Sequence, residues 1–184
     1  MQFIISCPGG CAPLLKSELK SLGYNLSQVV SPSTLQLEAD ESAIAKINLR
    51  SRIANKVYVV LGSGIAPTFE RLFDVVHRVD RQKYIHDHQP FVVNARSSNS
   101  LLTSLPSIQS MGKKSISKKL LGDDGRWEED PSIPPVDILL SFDKDNLQIL
   151  LNTTGESLHR RGYRAHTGEA PLKENLAAAL VLSA

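Results

Sequence analysis

The chain has 184 residues, with 21 Lys and Arg against 19 Asp and Glu, which leaves a net charge of +2 at neutral pH. Hydrophobic residues make up 41% of it and charged residues 22%, which excludes a wholly disordered chain, collagen and a coiled coil. The net charge excludes a histone-like polycation and an acidic tail. A chain of this length suggests one large domain or two small ones, and we expect two compact units.

The two cysteines, Cys7 and Cys11, are too few for a disulfide-stapled secreted domain or a four-cysteine zinc site. Their CxxxC spacing has no further Cys or nearby His to complete a site, so we expect buried thiols and no metal. The N-terminus has no basic region, and no segment approaches the roughly 18 apolar residues of a membrane span. These features predict a cytoplasmic protein without membrane contact.

The first third of the chain alternates short β-branched runs with helical patterns. Strand patterns lie at 3–5, 26–30, 34–39 and 57–61. Leucines at helical spacing follow the first strand, and a helix with Asp40 at its start precedes the last strand. The order βαββαβ is the ferredoxin-like pattern. Gly62-Ser63-Gly64 is predicted to loosen the chain and end this subdomain, so its bounds are residues 1–64.

A second subdomain, residues 65–153, is predicted to be an α/β layer. Pro67 precedes an amphipathic helix that carries Phe69, Leu72, Phe73 and Val76. A strand at 91–95, a helix at 107–121 and two strands at 136–142 and 147–151 follow. Gly112 within the second helix costs about 1 kcal/mol relative to alanine.

The remaining residues, 154–184, differ in kind from both subdomains. A polar, basic stretch leads to Pro171 and a helix over 172–184, whose apolar face is predicted to contain Leu176, Leu180 and Val181. A terminal helix of this kind buries its apolar face only against something else. We therefore expect these residues to be a linker and a first helix.

Positive charge is concentrated in one part of the chain. Residues 88–122 contain no Asp or Glu, and five basic residues occur there: Arg96, Lys113, Lys114, Lys118 and Lys119. Helical spacing gathers the lysines into one basic ridge, and the short polar side chains of residues 96–100 are expected beside it as donors to phosphate or sugar. The eight acidic residues in 123–145 are expected to face elsewhere.

The C-terminal region adds a second basic group, Arg160, Arg161 and Arg164 around Tyr163. Guanidinium groups suit phosphate, and a tyrosine ring stacks on an unpaired base. A basic helix face is often only a solvated face. Its coincidence with a polar loop and an arginine cluster favours a nucleic-acid surface as strongly as a solvated one.

Other chemistry finds little support. Pro8-Gly9-Gly10 lacks the Lys-Ser/Thr pair of a phosphate loop, and His86-Asp87-His88 is better explained as an exposed turn than as a chelate. We find no nucleophile with a credible base and no GxGxxG-like turn. The sequence therefore predicts no catalytic residue, no cofactor site and no metal site in this chain.

Several motifs resemble the ferredoxin-like plus THUMP region of bacterial RNA methyltransferases. They are Cys7-Pro8-Gly9-Gly10, Leu14-Leu15, Glu18-Leu19, residues 68–73, Arg96-Ser97-Ser98-Asn99-Ser100, Pro106-Ser107-Ile108-Gln109, Lys113-Lys114 and Ile116. Residues 154–159, 161–164 and 170–174, with 176–179, resemble the entry into that family's methyltransferase domain. The resemblance extends over essentially the whole chain. Arg81, Gly112 and Asn152 depart from the family's usual residues.

In this family, which includes ribosomal RNA guanine-N2 methyltransferases and relatives described as N6-adenine-specific, the THUMP unit captures RNA. A following Rossmann-like domain binds S-adenosylmethionine. The resemblance implies an RNA-binding portion whose glycine-rich cofactor loop and Asn-Pro-Pro-aromatic motif lie beyond residue 184. The helix at 172–184 would begin that domain.

Two classes of function remain open. One is the RNA-binding part of a methyltransferase whose catalytic domain is in cis and whose RNA is ribosomal; the other is a stand-alone RNA-binding or protein-interaction module. If the five basic residues of 88–122 neutralise five phosphates, log K falls with log salt at a slope of about −3.5. The candidate RNA-binding residues are Arg96, Ser97, Asn99, Ser107, Gln109, Lys113, Lys114, Lys118, Arg160, Arg161 and Arg164.

Overall fold

The computed structural model describes residues 1–80, 84–121, 128–162 and 171–183. The chain divides into two compact units: the first unit is Met1–Val59 with Thr153–Ala184, and the second unit is Val60–Asn152. Within the described ranges, every helix is too short or too polar to cross a bilayer.

The first unit confirms the predicted βαββαβ order. Its sheet has the strand order β2-β3-β1-β4, with antiparallel pairing of β1 to β3 and β4 and of β2 to β3. Alternate residues of β1 and β3, such as Phe3, Ile5, Leu35 and Leu37, are fully buried, as expected for strands with one face on the core. The elements are β1 Gln2–Ser6, α1 Ala12–Ser21, β2 Ser27–Ser31, β3 Thr34–Glu38, α2 Ser42–Arg50 and β4 Lys56–Ile65, whose residues from Val60 onward belong to the second unit.

The second unit confirms the predicted α/β layer. Its elements after β4 are α3 Phe69–Arg78, β5 Phe91–Ser98, α4 Leu105–Leu121, β6 Val136–Asp143 and β7 Asn146–Asn152. β5 pairs in parallel with β6, and β6 pairs antiparallel with β7. Leu72, Val76, Ile108 and Ile116 of the two helices share one core with the inward residues of these strands. Both helices therefore cover one face of the sheet.

The prediction that Gly62-Ser63-Gly64 loosens the chain is wrong, because β4 continues through these residues to Ile65. A Cβ on Gly62 would lie 2.8 Å from a methyl carbon of Val79, and one on Gly64 would lie 2.9 Å from Val75. The glycines thus allow α3 and the residue that follows it to approach the strand closely. Glycine here serves packing rather than flexibility.

The C-terminal helix, α5 Glu174–Ser183, belongs to the first unit. The predicted apolar face is wrong for Leu180 and Val181, which are 57% and 77% exposed; Leu176 is half-buried, and Asn175 and Ala179 are buried. These two are four residues apart and share one side of the helix. The small Ala179 and the hydrogen-bonding Asn175 make the contact, so the larger apolar side chains are left outside. That this helix begins a Rossmann-like domain stays a prediction.

Candidate nucleic-acid interface

Helix α4, which carries the predicted lysine ridge, is fixed to the sheet by its glycine. A Cβ on Gly112 would lie 2.6 Å from Leu140 Cδ1 and 3.2 Å from Val93 Cγ1. Any larger side chain would push the helix away from the strands. The missing side chain of Gly112 therefore lets Ile108 and Ile116 reach the core. This packing offsets the unfavourable helix propensity of glycine.

The candidate residues of α4 lie on two different flanks of the helix. Ser107, Lys114 and Lys118 are exposed and recur with Met111 at spacings of three and four, so they share one flank. This flank lies towards α3, because Met111 lines a cavity with Phe69 and Phe73. Gln109 and Lys113 are four apart and occupy the opposite flank. The single ridge predicted from the sequence is therefore two flanks.

Lys113 contacts an acidic residue and an aromatic ring. Its Nζ lies 3.3 Å from Glu129 Oε1, with side chains 54% and 35% exposed, and 5.4 Å from the centroid of the Phe91 ring. The expectation that the acidic segment faces elsewhere is thus wrong for Glu129, although Asp123 and Asp124 lie outside the described residues. An exposed pair of this kind contributes at most about 1 kcal/mol, so Glu129 holds Lys113 only weakly.

Lys119, one of the five basic residues in the acid-free stretch, is directed at α3. Its Nζ donates a hydrogen bond of 2.8 Å to the carbonyl oxygen of Val79, the residue at the C-terminal end of that helix. A cation is favourable there because unpaired carbonyls collect at a helix C-terminus. This bond joins α4 to α3 and makes Lys119 a structural group.

Arg96 lies on the face of the sheet opposite α4. Val93 and Ala95 of β5 pack in the core beneath the helices, and side chains alternate along a strand, so Arg96 points the other way. Its Nε donates a 2.7 Å hydrogen bond to Ser141 Oγ on β6. The expectation that Arg96 adjoins the lysines is wrong, while its contact with RNA stays a prediction.

The polar residues after Arg96 form an ordered connection to α4. Ser97 Oγ donates to the carbonyl of Leu102 at 2.6 Å, and Ser100 Oγ accepts from the backbone N–H of Asp145 at 2.9 Å. The Asp145 carboxylate in turn accepts from the N–H of Leu101 at 2.7 Å. Asn99 is exposed at a positive φ of 51°. These bonds tie the loop to the turn between β6 and β7, and Asn99 points to solvent.

The arginines of the C-terminal region belong to the first unit. Arg161 donates three hydrogen bonds to backbone carbonyls at the end of α2, to Asn48 at 2.7 Å, Ser51 at 2.8 Å and Leu49 at 3.2 Å. Its guanidinium thus caps that helix. Arg160 is exposed, and Arg164 and Tyr163 lie outside the described residues.

Buried polar groups of the first unit also hold its loops. The Glu18 carboxylate accepts from Ser51 Oγ at 2.6 Å and from the N–H of Arg52 at 2.8 Å. Cys7 and Cys11 are buried free thiols. Burial, with a smaller effect of Cys11, raises the pKa of Cys7 to about 11, so it is protonated at neutral pH and a poor nucleophile. Among the described residues, no group of three acidic, His or Cys side chains is placed to hold a metal.

Sequence reasoning did not single out one set of residues beside the lysine flank. Phe69, Phe73 and His77 are spaced by four residues along α3, and all three are half-buried. The sequence predicts Phe69 and Phe73 in the core stripe with Leu72 and Val76, and Phe69 does pack partly against the core. The recurrence of rings every four residues, at Phe69, Phe73 and His77, is the sequence signal that could have identified this set, because these positions are offset from the buried ones.

Comparisons with known proteins show what the chain is similar to. Residues 2–58 match the family model of the RlmL ferredoxin-like domain. This stretch of the chain therefore resembles that domain. The RlmL ferredoxin-like domain coincides with the β1 to β4 order of the first unit, so the predicted ferredoxin-like subdomain is confirmed.

Relatives extend the likeness beyond the RlmL ferredoxin-like domain. The chain is 35% identical over 181 residues to "Putative RNA methyltransferase YpsC" of Bacillus subtilis, which covers 97% of this chain and 46% of that protein. It is 34% identical over 186 residues to "Ribosomal RNA large subunit methyltransferase K/L" of Methylococcus capsulatus, over 99% of this chain and 25% of the relative. The resemblance to RNA methyltransferases is confirmed.

One solved structure shows the same architecture. SMU.472, described as "a putative methyltransferase complexed with SAH", matches with a TM-score of 0.91 and 35% identity, over 100% of this chain and 48% of that one. The chain therefore spans from a quarter to about half of the length of these relatives.

Proposed function

We propose that this chain is the RNA-binding portion of an S-adenosylmethionine-dependent RNA methyltransferase. In this proposal the THUMP subdomain, residues 65–153, holds RNA, and a catalytic domain in cis, outside the 184 residues, transfers the methyl group. The relatives named as ribosomal RNA methyltransferases support ribosomal RNA as the substrate.

One observation carries the proposal: α4 presents Ser107, Lys114 and Lys118 on one exposed flank in a stretch without acidic residues. Lysine neutralises phosphate, and serine donates to phosphate or sugar oxygens without reading sequence. On the opposite flank, Gln109 supplies an amide for a base or sugar edge, and Lys113 exchanges Glu129 for phosphate. Ser97 and Asn99 lie before the start of the same helix.

The basic residues outside α4 have other assignments. Arg161 braces α2, where it donates to three backbone carbonyls. Arg160 is exposed and, with Arg164, contacts RNA or the next domain. Arg96, on the far face of the sheet, contacts RNA only where the RNA reaches that face.

The glycine turn of the first unit does not fit S-adenosylmethionine. The glycine turn between β1 and α1 is the nearest likeness to a cofactor loop, but the N–H of Gly10 donates to Pro32 and that of Cys11 to Pro8, at 2.9 and 3.0 Å. A glycine-rich cofactor loop needs such backbone donors to be available. We therefore place the cofactor in the part of the longer relatives that this chain does not span.

Salt dependence tests RNA binding. Lys119 and Arg96 donate hydrogen bonds within the protein, and the proposal assigns Lys113, Lys114 and Lys118 of the five basic residues to phosphate. Fluorescence anisotropy of the 184-residue chain with a labelled ribosomal RNA fragment should give a log K against log salt slope of about −2. Undetectable or salt-insensitive binding contradicts the proposal.

A second candidate, a protein-interaction module, is favoured by the exposed apolar residues of α5. Leu180, Val181 and Leu182 are 57%, 77% and 44% exposed. Deleting residues 172–184 should then change the oligomeric state or the set of bound partners in sedimentation experiments. An unchanged state with full RNA affinity favours the RNA-binding function alone.

A further inference from the structure

A groove runs between α3 and α4 on the helical face of the second unit. Ser115 Oγ on α4 donates a 2.9 Å hydrogen bond to the carbonyl of Phe73, and further along both helices Lys119 contacts Val79. The two helices therefore run side by side in the same direction. Near their N-terminal ends lies a cavity of about 240 Å³, lined by Phe69, Glu70, Phe73, Asp74 and Met111.

Aromatic rings form the α3 wall of this groove. Phe69, Phe73 and His77 follow one another at helical spacing, and the Phe73 and His77 rings stack with centroids 5.6 Å apart and an angle of 12° between planes. The core of α3 is made by Leu72 and Val76, which are fully buried, whereas the three rings are half-buried. The stripe is thus a partly exposed ring surface.

The opposite wall carries positive charge. Lys118 is seven residues, or two turns, from Met111 on α4 and lies on the same flank, with Lys114 one turn before it. Ser107 lies on this flank near the helix N-terminus. Lys113, in contrast, is on the far side with Glu129. The α4 wall therefore offers ammonium and hydroxyl donors along its length.

The rim of the α3 wall carries two exposed carboxylates, Glu70 and Asp74. The backbone N–H of Glu70 and the hydroxyl of Thr68 hold the pKa of Glu70 below its usual range, so this carboxylate is ionised at neutral pH. Carboxylates repel phosphate but accept hydrogen bonds from the amino groups of bases. The groove is thus asymmetric, with acceptors and rings on one wall and cations on the other.

We propose that this groove binds unpaired nucleotides of RNA, with bases against the Phe69, Phe73 and His77 rings and phosphates along Lys114 and Lys118. Base amino groups then point to Glu70 and Asp74. This inference rests on the proposed RNA-binding function and specifies its substrate as single-stranded. In a duplex the bases are already stacked and paired, so they cannot reach the rings.

The experiment measures the affinity of the 184-residue chain for a labelled single-stranded oligoribonucleotide and for a duplex of the same composition. Phe73→Leu keeps an apolar side chain but removes the ring. It should weaken single-strand binding roughly fivefold and leave duplex binding unchanged. Tyr24→Leu, which removes a half-buried ring in the first unit, is the matched control and should change neither affinity.

A second variant guards against a folding defect in the first. His77→Leu should also weaken single-strand binding selectively, and circular dichroism checks that both variants fold. Unchanged single-strand affinity in both folded variants, or an equal loss for strand and duplex, overturns the groove assignment while leaving the proposed function intact. Failure of the unmodified chain to bind any RNA overturns the proposed function and this inference together.

Comparing the affinities for RNA strands with different bases tests whether the carboxylates contact the bases. Glu70→Gln should lower the affinity for cytosine-containing strands relative to uracil-containing strands, because uracil lacks an exocyclic amino group for the carboxylate to accept from. An equal change for both strands contradicts the proposed orientation of the bases.

Discussion

The two units use basic side chains in different ways. In the first unit Arg161 is directed inward, where its guanidinium donates to three carbonyls at the end of α2. In the second unit Lys114 and Lys118 are directed outward from α4 and are exposed. Both groups are equally conspicuous in the sequence.

The difference comes from what lies within reach of each side chain. Arg161 meets a helix C-terminus, where unpaired carbonyls attract a cation, and Lys119 meets the corresponding end of α3. Lys114 lies one turn before Lys118 on a flank that faces the α3–α4 groove and solvent. Basic residues that are close together in a sequence can therefore differ in role, because one of them meets the carbonyls of a helix end and its neighbour does not.

The largest expected effect comes from reversing charge on α4. Lys114→Glu together with Lys118→Glu should weaken RNA binding about 100-fold at 0.1 M salt, because two phosphate contacts become repulsions. Lys16→Glu with Lys20→Glu is the matched control, since these lysines are exposed on α1 with the same spacing. If the control weakens binding equally, the two units do not differ in their use of charge. Anisotropy titration measures both.

A smaller effect is expected in stability when the inward arginine is removed. Arg161→Ala should lower the free energy of unfolding by about 2 kcal/mol, because three carbonyls at the end of α2 lose a charged donor. Arg160→Ala, at an exposed neighbouring site, should change it by less than about 0.5 kcal/mol. Urea denaturation of both variants measures this difference in the free energy of unfolding. Equal stabilities would show that the α2 cap contributes nothing.

The smallest expected effect concerns Gly112, where α4 packs against the sheet. Gly112→Ala gains about 1 kcal/mol in helix propensity but forces a Cβ against Leu140 Cδ1 at 2.6 Å, and overpacking costs roughly 1–3 kcal/mol. We expect a net loss of about 1 kcal/mol. The control Ser110→Ala, on an exposed part of α4, should stabilise slightly. A stabilised Gly112→Ala in thermal denaturation would contradict the close approach.

Local patterns predicted most of the fold. Alternation in β3 and leucine spacing in α1 identified the βαββαβ order, because each pattern is complete within a few residues. Gly62 and Gly64 were misjudged, since the reason for glycine there is the methyl groups of Val79 and Val75, which are distant in sequence. The exposed leucines of α5 were misjudged for the same kind of reason, as Ala179 and Asn175 make its contact.

The candidate site was predictable in composition but not in arrangement. Helical spacing correctly grouped Lys114 with Lys118. It could not show that Lys113 pairs with Glu129 or that Arg96 lies across the sheet, because both facts depend on strand order and on contacts between distant residues. The ring stripe on α3 required knowing which helix lies beside α4.

The hydrogen bonds that tie residues 98–101 to Lys144 and Asp145 have a consequence for recognition. The N–H of Lys144 donates to Ser98 at 3.2 Å, and Asp145 is bonded to both Ser100 and Leu101. The segment that leads into α4 thus loses its conformational freedom when the protein folds, not when a ligand arrives. Ordering entropy that is already lost does not oppose association, so in the proposed function this segment adds no ordering cost to RNA binding.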